Sequence, residues 1–129
     1  GIAGHKSLGI GSAICAASVS TELKDMVYHL TGITETPFQL MHVTSNSTPC
    51  FDYIEEAVFD MEAYAFIVSL TKSADIDRCR IIKVISDNEW VAATRNKAII
   101  SHLIEKNMPS IDRIAQQLTA QLAATNCSD

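Results

Sequence analysis

Between residues 57 and 86 the hydrophobic period changes twice, and no other stretch constrains the fold as strongly. Ala57 to Met61 reads as a short buried strand. From Glu62 the apolar residues fall at Ala63, Phe66, Ile67 and Leu70, the i, i+3, i+4, i+7 stripe of an amphipathic helix. Ser73 to Asp77 is a polar break. Arg80 to Ser86 is then apolar between its two ends except for Lys83, which fits a strand covered on both faces. Strand, helix and strand in this order imply a parallel pair with a right-handed crossover. On that reading Met61–Glu62 and Ser86–Asp87 end neighbouring strands at one edge of the sheet, where open α/β sheets bind ligands.

The flanking segments agree with an α/β domain. Ile10 to Val19, residues 23–30 and Phe38 to Thr44 read as strands, and Thr44 to Pro49 as a polar loop. Asp52 to Glu56 suits a short helical turn. Thr94 can cap a helix running to about Lys106, and Pro109 suits the first turn of a final helix. Ile111, Ile114, Ala115, Leu118 and Leu122 would be the buried stripe of that helix. Four of the five glycines, Gly1, Gly4, Gly9 and Gly11, cluster at the start. They form no phosphate-binding pattern, and a tight turn explains them as well as close approach to a ligand does.

Composition narrows the function. A chain of 129 residues with 47% hydrophobic residues can build one domain with a packed core. The net charge of −5 and the lack of a basic stripe argue against a nucleic-acid partner. No apolar segment is long enough to span a bilayer. Cys15, Cys50, Cys79 and Cys127 form no Cys-x-x-Cys pair, and His29, His42 and His102 lack ligand spacing, so no metal site is expected. Scattered thiols of this kind fit a reducing, cytoplasmic setting.

Taken together, Gly1-Ile2-Ala3-Gly4, Asp60-Met61-Glu62-Ala63 and Ile85-Ser86-Asp87-Asn88, with the terminal helices, resemble the nucleoside phosphorylase and nucleosidase superfamily. The similarity runs through nearly the whole chain but covers only about the C-terminal three-fifths of a typical family domain. It implies a mixed, twisted sheet flanked by helices, here a single partial domain over 1–129 that lacks its N-terminal strands. It implies cleavage of a nucleoside N-glycosidic bond with phosphate or water as nucleophile. Glu62 would bind the ribose hydroxyls, Met61 would pack on the sugar face, and Asp87 would act as general acid to the leaving purine at N7. Ser86 would lie beside the base, and Ala3 and Gly4 would line the substrate. No cofactor is implied, with phosphate a potential co-substrate.

Those roles make chemical sense. The sugar becomes oxocarbenium-like during cleavage, so a carboxylate holding its hydroxyls sits near developing positive charge. The departing base gathers negative charge that a carboxylic acid neutralises. The residues alone leave alternatives open: Asp87 as a turn cap, Glu62 as a helix-start acid, Met61 as a core filler. His5 reads as a surface-loop residue, Ser45 and Asn46 as the edge of a base pocket, and Phe51 or Tyr53 as core or stacking residues. Trp90 would cover the site or the core. Ile2 stands where many family members carry a polar residue, which weakens phosphorolysis. It also motivates a rival reading, a nucleoside-binding module with impaired turnover. The expected partners are a small-molecule nucleoside and either further copies of the chain or a chain supplying the missing strands.

Overall fold

The computed structural model describes residues 1–21, 23, 26–30, 36–46, 57–71, 79–91 and 96–127. Along the chain come β1 (Ile2–Gly4), β2 (Ala13–Thr21), β3 (Val27–His29), β4 (Gln39–Ser45), β5 (Val58–Asp60), α1 (Ala63–Thr71), β6 (Ile82–Asp87), α2 (Lys97–Glu105) and α3 (Met108–Cys127). The six strands form a mixed sheet in the order β3-β2-β4-β5-β1-β6, and the first residues of β2 also pair with β6. The strands β2, β4, β5, β1 and β6 therefore close on one another.

This closure depends on an irregularity in β2. Its register with β4 slips between Ala16 and Ser18. At that point one edge of the strand changes partner. The Ala16 N–H donates to the Ile81 carbonyl at 2.9 Å, and the Ala17 carbonyl accepts from the Leu30 N–H at 3.0 Å. A bulge of this kind bends a strand and increases its twist. It also shifts the side-chain alternation. Ile14 and Ala16 before the bulge, and Val19 after it, all join the main core with Val43, Val58 and Ile85. Cys15 faces the other way, against Phe38 and Ile114 of α3. Burial pushes the Cys15 thiol up from its ordinary value, with Arg80 opposing.

On α1, Ala63 and Ile67 are buried in the main core and Leu70 packs on it. Phe66, expected in that stripe, is instead half exposed and lines a cleft beside β6. A nine-residue helix over one sheet presents a single narrow ridge, and 63, 67 and 70 fill it. Ile67 is completely buried, so Ile67→Ala is expected to lower unfolding free energy by about 2–5 kcal/mol, read from urea denaturation.

Three expectations change in detail. Gly1 to Gly4 is not a turn: Ile2–Gly4 is a central strand, paired on both sides. Pairing overrides the low strand propensity of glycine there. Strand β2 begins at Ala13, because Ser12 N–H bonds to the Gly9 carbonyl at 3.0 Å and Gly11 takes a φ of 91°. Asn96 caps α2, accepting from Ala98 N–H at 2.9 Å. Thr94, the expected cap, lies outside the described residues, as do 52–56 and the break at 73–77. In α3 Ile114 is buried and Ile111 and Leu118 are half buried, whereas Ala115 is exposed. The side chain of Leu122 lies outside the described residues.

Candidate active site

The expected parallel pair of β5 and β6 does not form. β1 lies between them, antiparallel to β5 and parallel to β6, so β5 and β6 run in opposite directions. Their carboxyl ends do not share one edge. Gly4 stands opposite both Phe59 and Asp87. The chain then continues through Asp60, Met61 and Glu62 in the direction of Gly1, while β6 ends level with Gly4. Glu62 and Asp87 thus lie on either side of β1, offset along it by about 10 Å at 3.3 Å per residue.

Asp60 organises the first motif. Its Oδ2 accepts from the Ala63 N–H at 2.9 Å and the Glu62 N–H at 3.4 Å, which satisfies donors at the start of α1. Its Oδ1 accepts from the Ser45 hydroxyl at 2.5 Å, and Ser45 Oγ accepts in turn from the Tyr64 N–H at 2.9 Å. The Lys83 ammonium lies 2.9 Å from Asp60 Oδ2 and 3.4 Å from Glu62 Oε2. Lys83, the one basic residue of β6, is therefore the counterion of a fully buried carboxylate. The Glu62 side chain is 76% exposed, and it lines a cleft of about 290 Å³ with Phe66, Arg80 and Lys83. Asp87 is not among the residues lining that cleft.

A second irregularity sets the other motif. Ala3 pairs with Ile85 and Gly4 with Asp87, so Ser86 is the extra residue of β6. Bulges of this kind re-aim a side chain. The buried Ser86 hydroxyl lies 3.0 Å from Asp87 Oδ1 and 3.4 Å from the Ala3 carbonyl. Asp87 is 7% exposed, and its carbonyl accepts from the His5 N–H at 3.1 Å.

The following turn is held by Asn88. Its Oδ1 accepts from the Trp90 and Val91 N–H groups at 2.9 and 2.8 Å, and its Nδ2 donates to the Leu8 carbonyl at 3.0 Å. The loops after β1 and β6 are thereby stitched together around Asp87.

Several sequence expectations find their places. Met61 is 48% exposed beside the β1 start, and Ala3 and Gly4 form the strand between the two motifs. His5 is buried, not a surface-loop residue: its Nδ1 accepts from the Ser7 and Leu8 N–H groups, both at 3.0 Å. Those two donors assign the ring proton to Nε2. Trp90 is 71% exposed and covers no core. His42 sits between the Ser18 and Ser20 hydroxyls at 2.6 and 2.8 Å. Phe51 and Tyr53 lie outside the described residues. Among the described residues no cluster of three or more His, Cys, Asp or Glu is arranged to hold a metal, and no helix is long and apolar enough to cross a membrane.

The overall fold recurs among solved structures. The MTAN of Chlamydia trachomatis, solved as the selenomethionine protein, superimposes with a TM-score of 0.62 at 23% identity. The match covers 91% of this chain and 61% of that one. The fold is the nucleoside phosphorylase-like fold of these structures. A variant of the same Chlamydia trachomatis protein, bound to MTA, matches with a TM-score of 0.62 at 21% identity, covering 92% of this chain and 62% of that one. The 5′-methylthioadenosine nucleosidase of Arabidopsis thaliana, in apo form, matches with a TM-score of 0.52 at 13% identity, covering 80% of this chain and 52% of that one. The chain thus spans about three-fifths of the length of the Chlamydia trachomatis structures. No family model matches the sequence, and no curated protein matches it.

Proposed function

We propose that the chain is a nucleosidase or nucleoside phosphorylase that cleaves the N-glycosidic bond of a purine nucleoside. The observation that carries this is β1 itself: the Ile-Ala-Gly strand lies between the two strands that lead into the acidic motifs. A nucleoside laid across it would have its base toward Asp87 and its ribose toward Met61 and Glu62. The two carboxylates need not meet, because base and sugar hydroxyls are different ends of one substrate.

In this reading the bond between the anomeric carbon and the base breaks with its electron pair moving into the purine. Asp87 delivers a proton to N7 as that charge arrives. Ser86, at 3.0 Å, orients the acid. Glu62 accepts hydrogen bonds from the 2′- and 3′-hydroxyls and places negative charge near the oxocarbenium-like sugar. The oxygen of phosphate then joins the anomeric carbon, or that of water does so as the water gives up one proton to solvent. The Glu62 carboxylate is exposed and its 3.4 Å contact with Lys83 is worth at most about 1 kcal/mol, so ribose hydroxyls can compete for it. Ala3 and Gly4 bring backbone close to the substrate. The ligands of the structural neighbours support a small-molecule nucleoside, since MTA and adenine are bound in the Chlamydia trachomatis structures. We place the protein in the cytoplasm, without an organic cofactor, in an assembly of several copies or with a chain that completes the sheet.

Glu62→Gln tests the sugar role. It keeps the shape but loses the charge, and a charge-assisted hydrogen bond contributes about 1.5–3 kcal/mol. Calorimetric titration with adenosine should show binding weakened about tenfold or more relative to wild type. Equal binding by both proteins would remove Glu62 from the site. Adenosine binding by wild type without release of adenine would favour a binding module over an enzyme.

A further inference from the structure

Asp87 is the last residue of β6, on the last rung that this strand shares with β1. An acid placed there is held only as well as the loops beyond it. Backbone bonds join those loops: the His5 N–H donates to the Asp87 carbonyl at 3.1 Å and the Glu89 N–H to the Lys6 carbonyl at 3.2 Å. A side chain adds a further link, since Asn88 Nδ2 donates to the Leu8 carbonyl at 3.0 Å.

Asn88 does two separate things. It closes its own turn: its N–H donates to the Val91 carbonyl at 3.0 Å, and its Oδ1 accepts from the Trp90 and Val91 N–H groups at 2.9 and 2.8 Å. A turn of this kind asks only for an acceptor, which Asp or Ser would also supply. The link to Leu8 asks for a donor on the other arm of the same side chain. Asp has no donor, and Ser has one oxygen for both tasks. Leu8 is itself anchored, because its side chain packs on the main core and its N–H donates to His5 Nδ1 at 3.0 Å. Asn88 is buried, so water competes little for these bonds. A line of contacts thus runs from the core through Leu8 and Asn88 into the backbone of Asp87.

We infer that Asn88 is a positioning residue: by tying the turn after β6 to the loop after β1, it holds the Asp87 carboxyl where the base departs. The inference rests on the reading above, in which Asp87 protonates the base. The side chain of Asn88 is engaged with backbone partners at both arms, so it acts through Asp87. A displacement of about 1 Å at a reacting group costs about 10²-fold in rate. Loss of the tie therefore belongs to the chemical step more than to nucleoside affinity.

The test is release of adenine from adenosine by the intact protein, for Asn88→Ser, for Asn88→Ala, and for each combined with Asp87→Asn. Asn88→Ser keeps an acceptor for the turn and loses the tie, whereas Asn88→Ala loses both. Each should lower kcat about 10²-fold with KM little changed. In the Asp87→Asn background neither should lower the rate further, because the residue through which Asn88 acts is already silent. A residue that only holds the fold together slows both backgrounds by the same factor, and that result overturns the inference. So does an Asn88→Ser enzyme as fast as wild type. In both of those cases a slow Asp87→Asn single variant leaves the nucleosidase reading standing. An Asp87→Asn protein as fast as wild type, or a wild type that releases no adenine, removes that reading and this inference with it. Asn88→Ser carries the comparison by itself if urea denaturation shows Asn88→Ala to be unfolded.

Discussion

Asp60→Ala is expected to lower the urea midpoint sharply, corresponding to a loss of about 3–5 kcal/mol. The change strands the buried Lys83 ammonium, whose carboxylate partner lies 2.9 Å away. It also removes the acceptor for the Ala63 N–H and for the Ser45 hydroxyl. Glu62 does not compensate, since its longer and mostly exposed contact at 3.4 Å is screened by solvent. Asp60→Asn separates the two causes. It keeps an oxygen to cap α1 but not the charge, so it should recover only the share of the cap, about 1 kcal/mol. Full recovery by Asn would mean that the ion pair contributes nothing. A loss well below 1 kcal/mol in Asp60→Ala would mean that neither contact holds α1 on the sheet.

Asp87→Asn carries the other large effect, this time on chemistry. The amide keeps the volume and the hydrogen bond with Ser86 but has no acidic proton to give. Base release should fall about 10²–10⁴-fold, the usual contribution of a positioned general acid. Nucleoside affinity should change much less, because the transferred proton matters in the transition state. A fall in affinity as large as the fall in rate would recast Asp87 as a binding residue. An unchanged rate would remove it from the mechanism.

The short unit from residue 57 to 87 was legible because its period changes where its elements change. Two strands, the helix between them and both acidic motifs follow from that pattern. The relation between the strands was not legible. Adjacent elements usually neighbour one another, but here a three-residue strand from the start of the chain inserts between them and reverses their relative direction. Nothing local in Ile2–Gly4 marks a strand, because its conformation is imposed by partners on both sides.

The site was legible in its motifs and not in its supports. Lys83 was visible as a charge amid apolar residues, but its partner Asp60 was hidden inside a motif read for Glu62. Ser45 and Asn46 looked alike in a polar segment. The end of β4 separates them: Ser45 turns to Asp60 and the N-terminus of α1, and Asn46 lies on the opposite face beside Met61. His5 looked like a loop residue because its partners are two backbone donors that follow it, a contact with no side-chain signature.

The central claim is geometric: a nucleoside lies across β1 with its base at one motif and its sugar at the other. The most direct measurement is a crystal structure of the intact Asp87→Asn protein with adenosine, which this account says will bind without turning over. The account predicts density over Ala3 and Gly4, with purine N7 in hydrogen-bond reach of residue 87 and the ribose hydroxyls in reach of Glu62. Adenosine bound away from β1, or bound there with base and sugar reversed, would contradict it.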